Sequence, residues 1–159
     1  MDAAALEPQL RGTFGTRVEV AVRSPKRLYV RVDAAADLPE VVRWLLATLP
    51  GCRLATSTGI DLRDGVGLFH HFAINGSPLV ITLKALLAKP EPHAPTLATQ
   101  TAAADWIERE IHDLLGVRFD GHPDERRLLK AEPMADELPL RRDFDPAQFK
   151  ERTGERPDF

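Results

Sequence analysis

Residues 16–23, T-R-V-E-V-A-V-R, alternate apolar and polar positions, with Val18, Val20 and Val22 on one side, which predicts a half-buried strand. Ser24-Pro25 breaks it, and the alternation resumes over 27–32 with Leu28, Val30 and Val32. Two such runs across a short connection predict a β-hairpin. The period then changes. Leu38, Val41, Val42, Leu45, Leu46 and Leu49 share one helical face, with Pro50-Gly51 as the stop. Asp37 and Glu40 stand three apart at its start, the spacing of a capping box.

Two further strands are predicted over 52–60 and 67–74, with Arg63-Asp64-Gly65 as the turn between them. Asn75-Gly76, both tolerant of positive φ, predicts a tight hairpin into a strand over 79–87. The first ninety or so residues therefore read as α+β, a mostly antiparallel sheet with packed helices. The stretch Lys89-Pro90-Glu91-Pro92-His93-Ala94-Pro95 is too rich in proline for a ladder and reads as a linker or extended crossover.

A second helix is predicted from about Thr101 to Leu115, stopped by Gly116. Ile107, Ile111, Leu114 and Leu115 form its core face. Trp106, Arg109, Glu110 and Asp113 form a second stripe at i, i+3, i+4, i+7. A charged stripe with an internal Arg109–Asp113 pair, worth about 0.3–0.5 kcal/mol, is the ordinary reading. The tryptophan favours a contact surface, since Trp and Arg concentrate at interface centres. Beyond Gly121 the periodicity fades. Five prolines, charges of both signs and scattered Leu, Met and Phe fill the rest of the chain. Such a segment does not bury enough to fold by itself; it is disordered or ordered against a partner.

Composition narrows the function classes. The 159 residues suit one domain with a tail, and 43% hydrophobic with 28% charged residues is an ordinary globular balance. A net charge of -3 gives no basic field for nucleic acid. The single cysteine, Cys52, builds neither an internal disulfide nor, alone, a cluster or zinc site, and fits a reducing compartment. The first residues carry acids and a proline where a signal peptide has a basic end and an apolar run. No stretch approaches the roughly 18–20 apolar residues of a membrane span, so a soluble chain is expected, at a membrane only through a partner. His70, His71, His112 and His122 suggest a metal, but a site needs three or four convergent ligands. His70 and His71, adjacent on a strand, point to opposite faces. There is no Gly-rich nucleotide fingerprint and no nucleophile motif.

One ordered set of residues is more specific. Glu108-Arg109-Glu110, Asp113, Gly116-Val117, Phe119, Gly121-His122-Pro123 and Arg126-Arg127-Leu128-Leu129 are followed by Pro139-Leu140-Arg141-Arg142-Asp143-Phe144. The order E-R-E-x-x-D-x-x-G-h-x-F-x-G-H-P-x-x-R-R-h-L, then P-L-R-(K/R)-D-(F/Y), resembles the signature of the complex I 30 kDa subunit family (the C subunit of NADH-quinone oxidoreductases). That family also supplies a subunit of energy-converting membrane-bound nickel–iron hydrogenases of group 4. The motif covers about a quarter of the chain. Met134 stands where many relatives have tryptophan, and Arg142 where lysine is commoner. The His70-His71-Phe72 strand, the Asn75-Gly76 turn and the His112-to-Gly116 wording look more like the hydrogenase-type relatives.

The resemblance implies an α+β domain over 1–120 and an extended, partner-wrapping tail over 121–159. It implies a hydrophilic-arm subunit on the cytoplasmic side of a membrane-bound complex, with no flavin, cluster or metal and no catalytic residues of its own. Its partners would be the large quinone-site or nickel–iron subunit and the iron–sulfur subunits. The partner-binding residues carried over are Glu108, Arg109, Glu110, Asp113, Gly121, His122, Pro123, Arg126, Arg127, Pro139, Leu140, Arg141, Arg142, Asp143 and Phe144, and the second stripe of the helix adds Trp106. Glu108, Arg109, Glu110 and Asp113 are expected to anchor one another and the arginines of the tail, and this acidic and basic cluster to pin the turn at Gly121-His122-Pro123. The other reading is a stand-alone α+β metal-binding or enzymatic domain with a disordered tail.

Overall fold

A computed structural model describes residues 2–154. The chain opens with a helix that the sequence reading did not anticipate, α1 (Ala3–Phe14). Asp2 caps it by accepting the Ala5 N–H at 3.0 Å, and Gly15 at φ 57° ends it. Ala3, Leu6, Leu10 and Phe14 are its buried face. Pro8 disguises this periodicity, yet it sits on the exposed side.

Strands β1 (Val18–Ser24) and β2 (Arg27–Val32) form the expected antiparallel hairpin, with Val18 opposite Val32 and Val20 opposite Val30. Helix α2 (Leu38–Thr48) buries Leu38, Val41, Val42 and Leu45. The capping box expected at its start is absent. Asp37 lies in a helical turn (φ -83°, ψ -12°) and caps nothing with its side chain. Both acids face Arg17, which stands 2.6 Å from Glu40 and 3.3 Å from Asp37 and lies over the Phe14 ring. Competition from a guanidinium explains the difference, and the pairing fastens α1 to α2 together with an edge-on Phe14–Trp44 contact at 5.8 Å.

Strands β3 (Cys52–Asp61), β4 (Val66–Ile74) and β5 (Val80–Leu87) complete a five-stranded sheet in the order β1-β2-β5-β4-β3. Only β2 and β5 pair in parallel, so the sheet is mostly antiparallel as expected. The Asn75-Gly76 turn is closed by Ser77 N–H on the Ile74 carbonyl at 3.0 Å, but positive φ falls on Gly76 alone. Asn75 N–H instead bonds the Gly51 carbonyl at 3.0 Å, tying this corner to the end of α2. His70 and His71 do point to opposite faces. His70 is buried against Ser57 at 2.8 Å and His71 meets Thr82 at 3.0 Å. Burial pushes the His70 imidazole down to about 4, which keeps it neutral. Burial pushes the half-buried Cys52 thiol up to about 11, away from reactivity.

The proline-rich segment is corrected by the structure. His93–Pro95 is a short strand, β6, in parallel register with β7 (Arg118–Asp120). The prolines are tolerated because Pro92 needs only its carbonyl, which accepts Arg118 N–H at 2.9 Å. Thr96 supplies the donor to the Asp120 carbonyl at 3.0 Å. Helix α3 (Ala103–Leu115) lies between them and ends at Gly116 in the left-handed region (φ 69°).

The helices share one face of the sheet. Their main core joins α1, α2 and β1–β5, and a second cluster joins Ile111, Leu115, Val117 and Phe119 to Val66, Leu68 and Leu87. Helix α3 comes unusually close to β3 at Gly59. A Cβ there would lie 2.5 Å from a Leu115 methyl and 3.1 Å from Ile111. That contact fixes the distance from which α3 presents its polar side. Gly59→Val should lower unfolding stability by about 1–3 kcal/mol through overpacking, read as a reduced urea midpoint with an unchanged slope.

Candidate functional site

The polar side of α3 is built from residues one turn apart that serve different segments. Glu108 points inward, is 1% exposed, and accepts the Thr96 hydroxyl at 2.5 Å and the Leu97 N–H at 2.7 Å. It thereby holds the chain that leaves β6. Burial raises its pKa, and the Thr96 and Leu97 bonds offset that only in part.

Arg109 and Asp113, at i and i+4, face the tail. The Arg109 guanidinium donates to the carbonyls of Arg126 (3.1 Å) and Arg127 (3.3 Å) and lies 3.1 Å from Asp124. One oxygen of the buried Asp113 accepts the N–H groups of Leu128 (2.6 Å), Leu129 (2.7 Å) and Lys130 (3.4 Å). One helix turn thus reads five consecutive backbone residues, carbonyls by the cation and N–H groups by the anion. Asp113 is desolvated, which raises its pKa, but those three N–H groups outweigh the burial and hold it below the ordinary 3.8.

His122 orders the turn before this grip. Asp124 N–H donates to its Nδ1 at 3.0 Å, so the proton sits on Nε2 and is given to the Asp105 carbonyl at 3.2 Å. Gly121, at φ 80°, lets the chain reverse, and His122 N–H closes the turn on the Phe119 carbonyl at 3.1 Å. Pro123 is exposed beside it.

The second half of the tail returns to the end of α3. Leu140 N–H bonds the Leu114 carbonyl at 3.1 Å, and Arg141 bonds the Leu115 carbonyl at 2.5 Å, satisfying the helix C-terminus with a cation. Asp61, nearly buried at the end of β3, collects Arg142 N–H (2.9 Å), Lys89 (2.7 Å) and Arg141 (3.5 Å). Leu138 covers Gly116. Helix α4 (Pro146–Thr153), capped by Asp145, then buries Phe149 near Phe144, their ring centroids 6.2 Å apart.

The motif residues do come together, but through different bonds from those expected. Arg109 and Asp113 do not pair with each other, and the helix acids do not bind the arginine side chains of the tail. Backbone groups take those places, because a buried carboxylate is better satisfied by several converging N–H groups than by one mobile cation. Arg126 is 84% exposed on its side chain and pairs with its neighbour Asp124, while Arg127 pairs with Glu132. Glu110, Arg142 and Asp143 are exposed and Pro139 is half-buried. Trp106 (66%), Leu129 (58%) and Leu140 (57%) are exposed apolar side chains on α3 and the tail it holds. Sequence reading missed Asp61, Lys89, Thr96 and Asp124. Asp61 and Lys89 carry no local pattern, and their role comes only from chain reversal.

A family model and several curated relatives match this chain. Residues 30–150 match the family model described as respiratory-chain NADH dehydrogenase, 30 Kd subunit. The chain is 33% identical over 148 residues to the F(420)H(2) dehydrogenase C subunit of Methanosarcina mazei, covering 91% of this chain and 93% of that one. It is 34% identical over 155 residues to the NADH-quinone oxidoreductase C subunit of Rhodopseudomonas palustris, covering 94% and 76%. It spans 27% of the length of the NADH-quinone oxidoreductase C/D subunit of Methylococcus capsulatus, at 30% identity and 94% of this chain. Among solved structures, a chain of the membrane-bound sulfane sulfur reductase, an archaeal respiratory membrane complex, shares the fold. Its TM-score is 0.83 at 23% identity, over 98% of this chain and 94% of that chain.

Asp113→Asn should release residues 124–130. The loss expected at neutral pH is about 1–3 kcal/mol, with faster tryptic cleavage after Arg126 and Arg127. Because the folded state holds Asp113 below its unfolded value, the unfolded chain takes up the proton first as pH falls. The stabilisation is whole above the ordinary value of 3.8 and is lost as pH falls through the lower folded value. The gap between wild type and Asp113→Asn in urea titrations should therefore narrow only below about pH 4.

Proposed function

The chain belongs to the family of respiratory-chain NADH dehydrogenase 30 kDa subunits, and from that membership we propose that it is a cofactor-free hydrophilic-arm subunit of a complex I-type redox complex. In this reading it docks on the large subunit that carries the quinone or nickel–iron site and on iron–sulfur subunits. It supports their assembly, and electrons pass to quinone or protons on those neighbours. It stands on the cytoplasmic side and is held to the membrane through partners; no described helix is long and apolar enough to cross one.

The observation that carries the reading is the division of labour along the motif. Glu108, Arg109 and Asp113 turn inward and shape the tail, whereas Trp106, Arg126, Leu129 and Leu140 are turned out along it. Large apolar side chains left exposed on a rigidly held strap, beside an exposed arginine, have the composition of an interface core. The tail would then be a preformed docking strip, so little ordering entropy is lost when a partner covers it. Wrapping by residues 121–154 is the role proposed for it; the remainder of the tail lies outside the described residues.

A gentle-detergent pull-down of the tagged chain from its native cell, read by mass spectrometry, tests this. Cluster-binding and membrane subunits should accompany the wild-type chain, and a flavoprotein or nickel–iron partner would name the complex. The double variant Arg126→Ala/Leu140→Asp should lose about 2–5 kcal/mol of association, a thirtyfold or greater drop in recovery, with its thermal melt unchanged. Recovery of the wild-type chain alone would return the molecule to the stand-alone reading, and undiminished recovery of the partners with the variant would overturn the docking role of the strip while leaving the subunit reading in place.

A further inference from the structure

The opposite side of the molecule, the sheet face turned away from the helices, has its own chemistry. Across β1, β2, β5 and β4 it carries Arg23, Arg27, Tyr29, Arg31, Phe69 and Lys84 around a shallow depression of about 550 Å³. Glu19 also lines it and stands 3.0 Å from Arg31, which Asp33 meets at 3.3 Å. Arg23, Arg27 and Lys84 make no ion pair among the described residues, and Lys84 instead lies 5.4 Å from the centre of the Phe69 ring. The chain as a whole is acidic at -3, so this positive field is local.

Register makes the pattern costly. Arg31 lies directly opposite Lys84 on the adjacent strand β5, and Phe69 lies opposite Lys84 on β4. Like charges facing each other on neighbouring strands destabilise a sheet, and a solvated face selected for stability would alternate signs there. Glu19 and Asp33 offset Arg31, which leaves Arg23, Arg27 and Lys84 without a carboxylate among the described residues. Binding to anionic headgroups calls for a cluster of roughly 4–8 basic residues, more than the unpaired cations here. Arginine interleaved with half-exposed aromatic rings is instead the composition of protein interfaces.

We propose that this open sheet face is a docking surface for an acidic segment of a neighbouring protein subunit, with carboxylates on Arg23, Arg27 and Lys84 and apolar groups against Tyr29 and Phe69. It is a second contact surface, separate from α3 and the tail, and it rests on the assembly reading above. One subunit would then be held between neighbours on its two sides.

Lys84 supplies the probe. The purified intact complex and the free chain are each treated with an amine-acetylating reagent, and in parallel with a zero-length carbodiimide. Lys84 acetylation should be at least about tenfold lower in the complex, because a covered interface centre excludes water. The carbodiimide should join Lys84 to an Asp or Glu of another subunit. Arg23→Glu/Arg27→Glu, at exposed positions, should lower recovery with the complex while leaving the far-ultraviolet spectrum and melt of the free chain unchanged. Full acetylation of Lys84 in a complex that still contains the chain would overturn the surface and leave the assembly reading intact. Protection present in native membranes but lost on detergent extraction, with every subunit retained, would assign the face to lipid and overturn the proposed partner. A chain that co-purifies with nothing overturns both.

Discussion

The grip of Arg109 and Asp113 on the backbone of residues 126–130 is the interaction on which the second half of the chain depends. A segment with five prolines and few clustered apolar residues has little hydrophobic burial with which to offset its ordering entropy. What it has is backbone polarity. Buried or half-buried carbonyls and N–H groups must be satisfied, and charge-assisted bonds satisfy them at roughly twice the strength of neutral ones. Two side chains one helical turn apart, of opposite sign, match the opposite polarities of carbonyl and N–H. Asp61 repeats the device at the far end of the tail, and Phe149 adds a substantial apolar anchor there.

That grip needs α3 at a fixed height, and the height comes from the apolar side of the same helix. Ile111 and Leu115 press on β3 at Gly59, where no side chain intervenes. The left-handed Gly116 then lets the chain leave at an angle that Leu138 can cover. Core packing, helix termination and tail docking are therefore one mechanical unit, and the buried Glu108 extends it backward to Thr96 and the β6–β7 pair.

Strands β1–β5, both internal helices and the Gly116 stop were legible because each is a local period or a local breaker, whereas β6 and β7 are three residues each and carry none. Helix α1 was obscured by Pro8, which costs a donor only where water can replace the bond; the Leu6, Leu10 and Phe14 spacing was the signal available. Parallel pairing of β2 with β5, and of β6 with β7, is non-local and has no sequence period. For the site, residue identities were legible but their partners were not. Glu108 and Asp113 look like surface acids in a charged stripe until chain reversal brings backbone N–H groups to them. Conversely, Arg17 drew Asp37 and Glu40 out of the capping box that their spacing suggested.

Charge is distributed unevenly for a reason that follows from the same accounting of satisfied groups. On the α3 side, the buried cations and anions bond within the chain, and the outward residues include the large apolar side chains of Trp106, Leu129 and Leu140. On the open sheet face Arg23, Arg27 and Lys84 are left without a carboxylate among the described residues, and Lys84 stands across β5 and β2 from Arg31, which Glu19 and Asp33 pair. The two sides thus leave different chemistries open to the proposed partners, apolar surface on one side and cations that call for carboxylate on the other. Neither demand is met among the described residues. A molecule that grips its tail through buried polar groups, yet leaves two opposite faces unsatisfied among the described residues, has the surface that the proposed place in an assembly requires.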